Sequence, residues 1–133
     1  MRIAIQLKNA LHALCRVVFL ISNYIVFGST VPGAPLDITA NNIDRTTVVV
    51  TWLPPDRPNG EITSYEVQFG LRTTRDLNTQ VVPNPNQRRL NIAMAWNKTS
   101  IISIRAFNKI GFGVKLTKYF INTYEFGKGN YFY

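Results

Sequence analysis

The chain of 133 residues has one cysteine, Cys15, and one histidine, His12, and both fall within its first thirty residues. The remainder can form no internal disulfide, no redox pair and no Cys/His zinc cluster, and it has no thiolate nucleophile. It also lacks a histidine to act as general base or metal ligand. Acids are few, seven against fifteen Lys and Arg, for a net charge of +8. Asp37, Asp44, Asp56, Glu61, Glu66, Asp76 and Glu125 are scattered. Asp56 and Glu61 flank one turn, but without metal-ligand spacing they read as turn chemistry. There is no glycine motif to cradle a phosphate and no run of bases interleaved with aromatics, as a nucleic-acid reader would need. These absences argue against an enzyme, and the sequence predicts no cofactor, no metal and no nucleic-acid partner.

The first thirty residues differ from the rest. Arg2, Lys8 and Arg16 stand there without an acid, Val17 to Phe27 is apolar apart from Ser22, Asn23 and Tyr24, and Gly28, Ser29 and Thr30 are small. Residues 1–30 therefore read as a secretory signal peptide. The alternatives are an uncleaved signal anchor, for which Val17–Phe27 alone is short, and a misassigned gene start. Past them, 12 bases and 7 acids remain, a net of +5. Residues 124–133 read as a tail or linker.

Residues 31–123 show no helical periodicity but many short alternating runs bounded by turn residues. Thr47-Val48-Val49-Val50-Thr51-Trp52 sets Val48, Val50 and Trp52 on one face, and Pro54-Pro55 ends it by removing two ladder donors. Leu36, Ile38 and Ala40 alternate before it, followed by a turn in which Ile43 is expected to be buried. Ile62–Phe69 turns Tyr65, Val67 and Phe69 inward, after a turn whose Gly60 is expected at positive φ. Leu77–Val82 is a short strand, Leu90, Ile92 and Met94 mark a fifth, and Ile102, Ile104 and Ala106 a sixth. The last spans Val114–Thr123, with Tyr119 and Ile121 expected inward and Phe120 outward. Seven such strands at regular spacing predict an all-β, seven-stranded antiparallel immunoglobulin-like β-sandwich.

The chain resembles a fibronectin type III domain. The matching residues are Pro35-x-x-Ile38, Val48-x-Val50-x-Trp52-x-Pro54-Pro55, Asn59-Gly60-x-Ile62-x-x-Tyr65-x-Val67 and Ile104-x-Ala106-x-Asn108-x-x-Gly111-x-Gly113. The missing Cys…Trp…Cys framework argues against a true immunoglobulin domain. The resemblance implies that Trp52, Tyr65, Val48, Val50, Val67, Ile104 and Ala106 define the core, and that the module is non-catalytic, displaying loops and a sheet face to an extracellular or cell-surface protein in adhesion or receptor recognition. Modules of neural adhesion molecules and receptor-type phosphatases are the nearest in kind. One corner departs from the family, whose Leu-x-Pro-x-Thr-x-Tyr pattern maps onto Met94, Trp96, Lys98 and Ser100. Ser100 has no phenol to bond back to the corner, and Trp96 is expected to fill part of the space.

Three candidate sites follow. Asn97-Lys98-Thr99 is an N-glycosylation sequon. Phe107 and Phe120 are candidates for a partner surface with two exposed aromatics; ordinary surface aromatics, or a register slip of one residue, are the competing readings. Arg88, Arg89, Lys115 and Lys118 are candidates for binding a sulfated, heparin-like glycan. The loop 108–113, where this family often presents an integrin motif, carries no Arg-Gly-Asp.

Overall fold

The structure, a computed structural model, describes residues 30–123. The expected leader (but for Thr30) and the expected tail 124–133 lie outside the described residues. Seven strands follow one another: β1 Leu36–Asn42, β2 Thr47–Leu53, β3 Ser64–Leu71, β4 Leu77–Val82, β5 Arg89–Ala93, β6 Thr99–Phe107 and β7 Leu116–Ile121. They form two antiparallel sheets, β1-β2-β5 and β4-β3-β6-β7. No helix occurs among the described residues, and none there is long and apolar enough to cross a membrane.

The period-two pattern explains the layering. Val48, Val50 and Trp52 of β2 face Tyr65, Val67 and Phe69 of β3 and Ile102, Ile104 and Ala106 of β6 in one core. Trp52 and Tyr65 meet edge to face, ring centroids 5.5 Å apart, a geometry that adds to the burial of both rings. Burial pushes the Tyr65 phenol above its ordinary value, against a smaller lowering by the Arg88 charge.

The turns are held by short polar side chains. Asp44 Oδ1 accepts from the amides of Thr46 and Thr47 at 2.7 and 2.8 Å, closing β1 onto β2. Asn108 Oδ1 accepts from the amides of Ile110 and Gly111, while its Nδ2 donates to the carbonyl of Asn59. That is the physical content of Asn-x-x-Gly: one buried amide shapes the β6–β7 loop and ties it to the β2–β3 loop. Gly60 has φ +120°. Gly113 lies so close to the carbonyl of Pro32 that a Cβ would stand 2.2 Å from its oxygen.

Three expectations are corrected. Ile43 is exposed, because Asp44 rather than an apolar anchor fixes that turn. Trp96 is exposed, with the Arg45 guanidinium 5.7 Å from its ring, and does not fill the corner. In β7, Leu116, Lys118 and Phe120 oppose Ile104, Ile102 and Ser100, so they share the inward side of the sheet. Phe120 is 1% exposed, whereas Tyr119 faces out at 40%. The outward Phe120 and the inward Tyr119 and Ile121 are thus all reversed by one residue of register.

Candidate binding surface

The outer face of the four-stranded sheet is built in cross-strand rows. Val81, Glu66 and Arg105 stand side by side on β4, β3 and β6; Thr79, Gln68, Ser103 and Thr117 form the next row; Leu77, Gly70, Ile101 and Tyr119 the next. Aligned side chains of this kind interact directly.

At one end Arg105 is fixed on every side. Its Nε and Nη2 donate to the two carboxylate oxygens of Glu66 at 2.9 and 3.1 Å. Its guanidinium carbon lies 5.5 Å from the Phe107 ring centroid and 4.1 Å from that of Phe112. Phe112 reaches this place because the β6–β7 loop doubles back to bridge Phe107; the two rings meet edge to face at 6.2 Å. Guanidinium on aromatic face, with the charge matched bidentately, is a rigid arrangement. Phe112 nevertheless remains 58% exposed and Val81 56% exposed.

The sequence-derived candidates fall as follows. Phe107 does face outward, but its aromatic companion is Phe112, not Phe120. Phe112 follows Gly111 in a loop, where period-two reasoning has no purchase. The four bases are not brought together. Arg89 opposes Thr51 on the outer face of the three-stranded sheet, whereas Lys115 Nζ donates to Gln68 Oε1 on the outer face of the other sheet. Lys118 occupies an inward position in β7, and the Arg88 carbonyl accepts from the Trp52 amide. Asn97 is exposed at a corner, with φ +52°. Trp52, Tyr65, Val48, Val50, Val67, Ile104 and Ala106 are all buried.

Sequence reasoning missed Asn122. It is fully buried, and its Nδ2 donates to the carbonyls of Arg45 and Met94 at 2.9 and 3.1 Å. Its main-chain carbonyl accepts from the amide of Asn97 at 2.7 Å. One residue just past β7 therefore ties together the 96–98 corner, through its backbone, and Met94 and the β1–β2 turn, through its side chain. An asparagine at a strand end looks like any turn residue in a sequence. Among the described residues no group of three or more His, Cys, Asp and Glu could hold a metal ion.

Three strands packed on four, with an edge-to-face Trp–Tyr pair between them, define an immunoglobulin-like sandwich. Within that class the chain belongs to the fibronectin type III family: the model for the fibronectin type III domain matches residues 33–121. The chain is 25% identical to tyrosine-protein phosphatase Lar of Drosophila melanogaster over 83 residues, 60% of this chain and 4% of Lar. It is 34% identical to cell adhesion molecule Dscam1 of the same organism over 91 residues, 61% of this chain and 4% of Dscam1. It thus spans a small fraction of the length of these relatives. A crystal structure of titin domains superposes with a TM-score of 0.61 at 20% identity, over 72% of this chain and 34% of that one, a likeness of fold. The domain is homologous to modules of adhesion and receptor-type proteins.

Proposed function

We propose that this domain is a non-catalytic recognition module of a cell-adhesion or receptor protein, acting outside the cell, and that it meets its protein partner through the outer face of the β4-β3-β6-β7 sheet. The observation that carries the reading is the Phe112–Arg105–Glu66–Val81 group, where a stacked and ion-paired arginine leaves two apolar side chains more than half exposed. Rigid apolar anchors bordered by satisfied polar groups are what a protein interface uses at its centre. The relatives named as adhesion molecule and phosphatase support the setting, as do the leader 1–30 and the Asn97 sequon. Arg89 and Lys115 lie on the outer faces of different sheets, which favours the protein-partner reading over the heparin-like alternative.

The test is binding of the full chain, secreted from a eukaryotic host, to a panel of cell-surface proteins, compared with the double variant Phe112→Ser, Val81→Ser. The variant is expected to bind about tenfold more weakly or worse, as loss of interface anchors does, with an unchanged melting temperature. Equal binding by both would sink the proposed face. The mass and N-terminus of the same product test the setting: a start near residues 29–32 and a glycan at Asn97 support it, whereas an intact Met1 without glycan removes it. Retention on heparin at physiological salt would revive the glycan reading.

A further inference from the structure

The same outer face carries a second arginine cluster of opposite character at its other end. Leu77, Ile101 and Tyr119 stand in one row, and Arg72 and Arg75 rise from the β3–β4 turn beside them. Together they line a cleft of about 340 Å³. Its apolar surfaces are Leu77 and Ile101, and its aromatic wall is Tyr119, over which the Arg72 guanidinium carbon sits 4.7 Å from the ring centroid.

Four observations bear on what enters. First, neither Arg72 nor Arg75 forms an ion pair among the described residues, whereas Arg105 on the same face is fully matched by Glu66. Second, no carboxylate among the described residues lines the cleft. The nearest in sequence, Asp76, lines the adjoining depression instead. Third, Arg75 is held at φ +57°, a left-handed conformation that glycine or asparagine would adopt at less cost. Strain kept by a long cationic side chain is a reason to look for a use. Fourth, the turn is pressed onto the sheet: a Cβ on Gly70 would stand 2.3 Å from the Asp76 carbonyl oxygen. That close approach sets both arginines at the rim.

We infer that this cleft receives an acidic peptide segment of a partner protein, an aromatic side chain entering against Tyr119, Leu77 and Ile101 while flanking carboxylates meet Arg72 and Arg75. Charge complementarity selects the occupant. Two unmatched guanidinium forks suit carboxylates bidentately, and the apolar interior suits a ring. The inference rests on the reading of the domain as a protein-recognition module and names the chemistry its partner presents.

The probe is a fluorophore-labelled peptide, Gly-Asp-Glu-Tyr-Asp-Glu-Gly, titrated with the full chain and followed by anisotropy. Two companions replace its acids by Asn and Gln, or its Tyr by Ala. Saturable binding of the first peptide is expected, with both companions weaker. The double variant Arg72→Gln, Arg75→Gln should weaken binding about tenfold or more, since charge-assisted hydrogen bonds are lost. The inference is overturned by no saturable binding, by equal binding of either companion, or by equal binding to the double variant. The peptide comparison needs only the unaltered chain, so it decides even if the variant is unstable. Phe112→Ser, Val81→Ser should leave peptide binding unchanged. Peptide binding with no effect of that pair on cell-surface binding would remove the Phe112 site alone; the reverse would remove only this cleft.

Discussion

The two outer faces of the sandwich are made by the same rule and end with different chemistry. On the three-stranded sheet the outward rows are Thr39, Thr51 and Arg89, then Asn41, Val49 and Asn91, then Thr47 and Ala93, with one large exposed apolar side chain, Leu53, opposite Leu36 at the far end. The Thr39 and Thr51 hydroxyls bond to each other, so that face satisfies itself with short side chains. On the four-stranded sheet the outward rows hold Phe107, Val81, Ile101, Leu77 and Tyr119 with Arg105 among them, and Arg72 and Arg75 stand on the adjoining β3–β4 turn. β-Branched and small polar residues suit a strand that meets only water. Large exposed apolar groups are not needed for folding, and where they gather they mark a surface kept for a partner. Function is therefore sought on one face, and the other serves as its internal control.

The comparison breaks hardest where the two sheets are tied. Asn122→Ala removes both donors to Arg45 and Met94 and leaves two carbonyls without a partner. A loss of about 2–3 kcal/mol in urea unfolding is expected; a loss under about 0.5 kcal/mol would show that the corner holds without it. Next comes a matched pair of changes, one per face. Glu66→Ala leaves Arg105 without its partner at a site where both side chains are largely buried and should cost about 1–2 kcal/mol. Thr51→Val on the control face removes one hydroxyl pair but keeps a good strand former, so a cost below about 1 kcal/mol is expected. If Thr51→Val proved the costlier, the polar face would be the structural keystone and the contrast would fail. Comparable in size but opposite in sign is Ser100→Tyr. Ser100 borders a cleft of about 280 Å³ with Leu71, Ala93, Met94 and Ala95, at the position onto which the family's corner tyrosine is expected to map. Filling it should add about 1 kcal/mol, roughly 4–8 °C in melting temperature. A drop would mean that the ring collides with Phe120, which opposes Ser100 across the strands.

Why the sequence disclosed most of the sandwich and less of its surface follows from particular strands. β2, β3 and β6 each place apolar residues on one side and polar ones on the other with few exceptions, so Val50, Val67 and Ile104 could be assigned from period two alone. β7 offers no such contrast. Its inward side includes Lys118 and its outward side includes Tyr119 and Ile121, so apolar content points to the wrong face. Lys118 is half-buried there, where a long aliphatic stem can lie along apolar surface. The candidate surface was legible only at Phe107. Phe112, Arg72 and Arg75 come from turns, where position depends on backbone geometry rather than alternation. The arginine pair had one sequence signal, two bases in a polar turn between strands, and nothing in that signal distinguishes Arg72 and Arg75 from the ion-paired Arg105.

The smallest expected effect belongs to the control face and concerns the turn that joins its first two strands. Asp44 accepts from the Thr46 and Thr47 amides and from the Thr46 hydroxyl at 3.0 Å. The Thr46 amide bond is the main cause that holds its carboxyl below the ordinary value of 3.8. Hydrogen bonds to the charged form favour that form. A carboxyl with a depressed folded value stabilises the fold above its unfolded value, and that contribution is lost as pH falls through the folded one. Asp44→Ala should therefore lower the melting temperature modestly at neutral pH. The gap to the unaltered chain should narrow as pH is taken from above 3.8 down through the lower folded value. A gap that stays constant across that range would assign the turn's stability to the backbone path alone. The self-satisfied face would then owe its order to strand pairing rather than to short polar side chains, which is the half of the comparison this measurement isolates.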